Sequence, residues 1–105
     1  MQIQNKLAEK QQFFVVYKNQ LNKDLKRSGF KTIDAQEPEG FLKELIAFLN
    51  EAVNDSNPKL QQLYYLADVQ DRHLEHGIIL GFIYREWVKV QFRLRQWVWG
   101  FGMYK

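Results

Sequence analysis

The segment His-Leu-Glu-His at residues 73–76 contains residue types that often bind zinc. Two histidines one helical turn apart, with Glu75 between them, could supply part of a tetrahedral site that needs three or four ligands. However, the chain has no cysteine, the His-Glu-x-x-His spacing is absent, and Asp68 and Asp71 would have to turn onto the histidine face. We therefore predict no metal site and interpret this segment as the solvated first turn of a helix.

Catalytic chemistry has little support elsewhere in the chain. General acid–base catalysis needs two carboxyl groups in one pocket with different pKa values, and the acidic residues fall on predicted helix surfaces or helix ends. Ser28 and Ser56 do not lie in a nucleophile elbow, and no glycine-rich phosphate-binding loop is present. The sequence predicts no enzyme activity, no catalytic residue, no cofactor and no small-molecule substrate.

Residues 84–105 combine aromatic and basic side chains as binding surfaces do. Seven of these 22 residues are aromatic and five are Lys or Arg. Large aromatic side chains that stay exposed usually indicate a partner. We predict a partner-binding site with three apolar anchors and two basic rim residues: Trp97, Trp99, Phe101, Arg93 and Arg95. The alternative is that these aromatic residues fold back onto residues 13–17 and complete the core.

Several kinds of partner are compatible with this segment. The first is a protein, either a different chain or a second copy, since Trp, Tyr and Arg dominate protein interfaces. The alternative is single-stranded nucleic acid, with Arg93 and Arg95 on phosphates and aromatic rings stacked on bases. An anionic membrane surface is a third possibility. We predict a small protein-interaction or assembly module whose partner is another protein or a second copy of the chain.

Helical periodicity predicts the elements that position these residues. Apolar residues at helical spacing run through the first segment: Ile3, Leu7, Phe14, Tyr17, Leu21 and Leu25. Gly29 can end that helix in the left-handed conformation, with Phe30 folding back onto the last turn. Pro38 is typical of a first helical position, and Asn57 before Pro58 predicts the start of a further short helix. Asp68 and Asp71 are expected to cap the next helix.

The last segment fits two templates. As a helix from about Asp71, it places one apolar stripe at steps of three or four: Ile79, Ile83, Trp87, Val90, Leu94, Trp97 and Phe101. Glu86 and Lys89 then lie on an exposed polar stripe. We expect Arg85 to form a structural ion pair with Asp68 or another acidic residue of the middle segment, residues 30–71, in preference to binding a partner. As a strand, residues 86–99 alternate between apolar and polar, which would give an α+β fold pairing across a dimer. We favour the helix, because the chain offers no partner strand.

Residues 60–93 resemble a pattern found in small uncharacterised bacterial helical proteins. The resemblance consists of LQQLYYLADVQD followed by IYREWVKVQFR, similar to Leu-Leu-Tyr-x-x-Asp-hydrophobic-x-Glu and Ile-Leu-x-Arg-Glu-x-x-Lys-Val-x-x-Arg. Asp71 stands where the pattern has Glu, and the aromatic tail after Arg95 departs from it. The resemblance implies a helical last segment and brings no activity.

Length and composition set the remaining expectations. The chain has 105 residues, no cysteine and a net charge of +3. Basic ends flank an acidic middle over residues 30–71, where eight acidic residues outnumber three basic ones. No apolar run approaches the roughly 20 residues that span a bilayer, and no signal peptide is visible. We predict one cytoplasmic all-α domain over residues 1–105, a bundle of three or four helices with 100–105 as a short aromatic tail.

Overall fold

The structure is a computed structural model that describes the backbone of residues 2–103 and the side chains of residues 2–94. Within that range the chain forms five α-helices and one 3-10 helix, and no residue is in a strand. The elements are α1 (Gln2–Glu9), α2 (Gln11–Arg27), α3 (Pro38–Asn54), α4 (Lys59–Leu66), the 3-10 helix η1 (Asp71–His76) and α5 (Ile78–Met103). The all-α prediction is therefore confirmed, whereas the predicted count of three or four helices is not.

The alternative of a strand over residues 86–99 is wrong, because all of these residues belong to α5. α5 also continues through Gly100 to Met103, beyond the predicted start of the tail. The predicted first helix is two helices, since Lys10 adopts an extended conformation between α1 and α2. No apolar residue stands at positions 8–12 except Ala8, so the core-facing series is interrupted where the helix breaks.

One core joins the helices. The predicted apolar residues of α1 and α2 are all buried, and the core is completed from α3, α4 and α5 by Phe41, Leu42, Leu45, Leu49, Leu63, Phe82, Ile83 and Trp87. The Tyr17 hydroxyl donates a hydrogen bond to the Ile83 carbonyl over 3.1 Å. The ring of Tyr17 also contacts Phe41 and Trp87. This tyrosine therefore fixes α2 against α3 and α5.

The connections between the helices follow the sequence signals closely. Gly29 has a φ of +86°, and the Phe30 N–H donates to the Leu25 carbonyl over 2.9 Å, as predicted for this helix end. Asn22 holds the following loop by two hydrogen bonds to the backbone of Ile33, of 2.9 and 2.8 Å. The Asn57 side chain accepts from the Lys59 N–H over 3.0 Å and starts α4.

The start of the last segment differs from the prediction. Asp68 does not cap η1: it has a φ of +57°, and Gln70 is the cap. The Gln70 N–H donates to Nδ1 of His73 over 2.8 Å. Gly77, with a φ of +103°, separates η1 from α5. A Cβ at Gly81 would clash with the His73 carbonyl, so glycine at this position lets η1 pack closely on α5.

Candidate protein-docking surface

The outer face of α5 exposes a row of large apolar side chains. Leu80, Val88 and Phe92 are 38%, 45% and 61% exposed, and half-buried Tyr84 lies between the first two. Successive members are four residues apart, so neighbours in the row are in contact, and the row winds around the outer surface of the helix by about 40° per step. Among the described residues this is the longest such row on a single helix. We call these four residues the outer stripe.

Two hollows border the outer stripe. One, of about 670 Å³, lies between α5, η1 and the start of α1, and the other, of about 390 Å³, lies between α5 and α2. Arg85 and Val88 line both hollows, so the two are neighbours along α5. We call the pair together the α5 groove.

The groove is mainly positive. Four cationic residues line it, Arg72, Arg85, Lys89 and Arg93, against the single acidic residue Glu75. Arg72 lies in the hollow toward η1 and Arg93 in the hollow toward α2, so these two arginines occupy opposite ends of the groove. Loss of hydration, together with the charges of Arg85 and Arg72, lowers the pKa of His73, which also lines the groove.

Arg85 is held in place by the loop after α4. Its Nε donates to the carbonyls of Ala67 and Asp68 over 3.2 and 3.1 Å, and its terminal nitrogen lies 3.0 Å from the Asp68 carboxylate. The left-handed backbone of Asp68 turns both its carbonyl and its carboxylate toward α5. The predicted ion pair of Arg85 with an acidic residue of the middle segment is therefore confirmed, and that residue is Asp68.

Lys89 is fixed by groups from three helices. Its Nζ lies 3.3 Å from the Asp24 carboxylate of α2, 3.1 Å from the Leu66 carbonyl of α4 and 3.3 Å from Oε1 of Glu86 on α5. Asp24 is 2% exposed and also accepts from the Gln20 amide over 3.3 Å. Lys89 is thus a partly buried cation whose positive charge is neutralised by the buried Asp24 carboxylate.

The prediction that Glu86 lies on an exposed stripe with Lys89 is wrong. Glu86 is fully buried, and neither of its carboxyl oxygens has a hydrogen-bond partner among the described residues, because Lys89 approaches Oε1 outside hydrogen-bonding geometry. Burial, and then the neighbouring Asp24, raise the pKa of Glu86 to about 8, against the lowering effect of Lys89. Glu86 is therefore mostly protonated at neutral pH, and it packs as part of the core.

Asp24 and Glu86 are two carboxyl groups in unequal environments, as in acid–base catalysts, but neither of them is accessible to a ligand. Glu86 lines neither hollow of the α5 groove, and Asp24 does not line them either. Asp24, together with the Leu66 carbonyl, holds Lys89 and through it the floor of the groove. The prediction that the chain performs no catalysis stays a prediction.

The predicted partner-binding residues are only partly within the described structure. Arg93 is exposed and lines the groove. The side chains of Arg95, Trp97, Trp99 and Phe101 lie outside the described residues. Leu80, Val88 and Arg72 were not predicted from the sequence, although the spacing of four from Leu80 to Phe92 was a usable signal. It was hidden because the inner and outer rows of α5 are both apolar.

Among residues 2–94, no three His, Asp or Glu side chains come together as a metal site would require. In the same described part of the chain, no helix is long and apolar enough to cross a membrane. Comparison of the chain with protein-family models, curated proteins and solved structures finds no match.

Proposed function

We propose that this protein is a small, non-catalytic protein-interaction module that binds another chain through the α5 groove. The observation that carries the proposal is the outer stripe: large apolar side chains stay exposed along one helix, beside two hollows. Exposed apolar rows rimmed by charge are typical of protein-binding surfaces. The cytoplasmic location and the relation to small bacterial helical proteins remain part of this proposal.

The groove is also prepared for binding in its free form. Arg85 and Lys89 make hydrogen bonds to the backbone and to carboxylates of other elements, so their side chains lose little freedom when a partner arrives. A surface that is ordered before binding has a smaller entropic cost of association. This supports a specific interface over a chance exposure of apolar residues.

Site-directed photo-crosslinking in cells that express the protein tests the proposal. We place a photoreactive phenylalanine analogue at Val88, with Ala47 as the matched control, since both are exposed residues on long helices. We expect a protein adduct of defined mass from Val88 alone, and we expect Phe92→Asp to remove it. Equal labelling from both positions, or an adduct that survives Phe92→Asp, would contradict the proposal.

Single-stranded nucleic acid is the second candidate, and one observation favours it. Phe92 is the most exposed side chain of the outer stripe and stands next to Arg93, an arrangement in which a base could stack while a phosphate is neutralised. Its support is weaker, because Arg85 and Lys89 already face carboxylates. Fluorescence anisotropy with labelled oligonucleotides at low salt tests it. We expect no binding, and tight binding that weakens steeply with salt would replace the protein-interaction proposal.

A further inference from the structure

We infer that the α5 groove takes an acidic amphipathic helix from a different protein chain. This inference rests on the proposed function, that the groove binds a protein, and adds the chemistry of the partner. It follows from the spacing of the outer stripe, the charges at the two ends of the groove, and the surfaces that this chain itself presents.

The outer stripe has the dimensions of a helix-binding surface. From Leu80 to Phe92 the helix rises about 18 Å, at about 1.5 Å per residue. A partner helix of about 12–14 residues spans the same distance. Its apolar residues at steps of three and four could then pack between Leu80, Val88 and Phe92, as in other helix-in-groove complexes.

The unpaired charges of the groove determine the sign of the charge that the partner carries. Arg85 and Lys89 are offset by Asp68 and Asp24, whereas no carboxylate pairs with Arg72 or Arg93 among residues 2–94. These two arginines stand at opposite ends of the groove. A partner with carboxylates near both ends of its helix and apolar residues between them is complementary to this pattern.

A second copy of the chain does not meet these requirements through its described helices. Two α5 grooves packed against each other in an antiparallel, two-fold arrangement would bring the arginines of one copy onto those of the other. The acidic outer face of α3 exposes Glu44 and Glu51, but only Ala47 as an apolar residue between them. It therefore lacks anchors for the outer stripe, and the partner is a different chain.

Three synthetic helical peptides of 14 residues test the inference on the full-length protein. All carry the same leucine anchors at steps of three and four, and the remaining positions are mainly Glu, mainly Gln or mainly Lys. We expect fluorescence anisotropy to show that the Glu peptide binds about tenfold tighter than the Gln peptide, with the Lys peptide weakest. The advantage of the Glu peptide should shrink as salt is raised.

Variants of the protein assign the effect to the groove. Arg72→Gln and Arg93→Gln should each weaken the Glu peptide several-fold and leave the Gln peptide unchanged, while Phe92→Asp should weaken both. Lys43→Gln on α3 is the matched control for loss of one exposed positive charge. Far-UV circular dichroism of each variant checks that the helices remain folded.

The outcomes separate this inference from the proposed function. Equal binding of the Glu and Gln peptides, or preference for the Lys peptide, would overturn the claim that the partner is acidic, while the Val88 adduct would still support a protein-binding groove. A dimer in light scattering that Phe92→Asp dissociates would show that the partner is a second copy and not a different chain. Binding to anionic vesicles that is stronger than binding to the Glu peptide would show that the groove binds a lipid surface and not a helix. Absence of both peptide binding and the Val88 adduct would overturn the inference and the proposed function together.

Discussion

Each side of α5 carries residues of a type that is usually found on the other side of a helix. The inner side carries an acid, Glu86, fully buried between core residues such as Phe82 and Ile83. The outer side carries Val88 and Phe92, both largely exposed. Burying a carboxyl group and exposing a phenyl ring each cost free energy, so neither side is optimised for stability alone.

The difference separates the side of α5 that packs in the core from the side to which we assign binding in our proposal. Glu86 is accommodated because protonation removes its charge and so reduces the cost of its burial, while Asp24 and the Leu66 carbonyl fix Lys89 beneath the groove. Nothing within the described residues covers Phe92 in the same way. Departures from the usual pattern tend to occur at functional sites, and here both meet on one helix.

The largest expected effect contrasts two phenylalanines of this helix. Phe82 is fully buried and stacks on Tyr64 with ring centroids 5.0 Å apart, whereas Phe92 is mostly exposed. Phe82→Ala should lower the free energy of unfolding by about 4 kcal/mol through loss of packing and a cavity, and Phe92→Ala by less than about 0.5 kcal/mol. Urea denaturation measures both. Similar losses for the two variants would mean that Phe92 also packs in the core.

The second prediction concerns the pH dependence of stability. The pKa of Glu86 is about 8 in the folded protein and 4.5 as the reference value for an unfolded chain. Between these pH values the folded state binds more protons than the unfolded state, so this group makes stability fall as the pH rises. The full difference corresponds to at most about 5 kcal/mol, and we expect about 3 kcal/mol because the folded protein relaxes around the charge.

Glu86→Gln isolates this contribution, since glutamine has nearly the shape of the protonated acid. The variant and the natural protein should have similar stability near pH 5, and the variant should be more stable by about 3 kcal/mol at pH 9. Chemical denaturation across this pH range measures the difference. Parallel pH profiles for the two proteins would show that the pKa of Glu86 is not raised.

The third prediction tests whether Lys89 compensates the buried acids. Lys89→Met keeps much of the side-chain stem but leaves Asp24 without its cation and the Leu66 carbonyl without its donor. We expect a loss of about 2 kcal/mol at pH 7, below the cost for a fully buried pair because Lys89 is partly exposed. Lys23→Met, at an exposed position of α2, is the control and should change thermal stability little.

The smallest expected effect is at the rim of the groove. Arg85→Lys keeps the charge but cannot reproduce the two Nε hydrogen bonds to the Ala67 and Asp68 carbonyls, and it should cost about 1 kcal/mol. Asp68→Asn should cost less than about 0.5 kcal/mol, because Asp68 is well exposed. A double-mutant cycle by thermal denaturation measures the coupling. A larger cost for Asp68→Asn would show that the exposed ion pair contributes more to the free energy of unfolding than we expect.

Local signals in the sequence predicted the helix ends and much of the core. Gly29 and Phe30, Pro38 and Asn57 act over a few residues, so their effect can be derived without the fold. An ion pair between Arg85 and an acidic residue of the middle segment was also predicted, with Asp68 as one of the candidates. The burial of Glu86 was not, because a Glu three residues before a Lys is far more often an exposed helical pair.

The sequence by itself determined that this chain is helical, that α2 ends just before Gly29, and that the last segment is both basic and apolar. Periodicity also placed Ile83, Trp87 and Val90 on the apolar stripe of the last helix, and the structure buries all three. Only the tertiary structure decided that Glu86 joins this buried side while the outer stripe stays exposed. The choice follows from what α5 meets: Tyr17 bonds the Ile83 carbonyl and Asp24 meets Lys89, and these contacts turn Glu86 inward and leave Val88 and Phe92 outside.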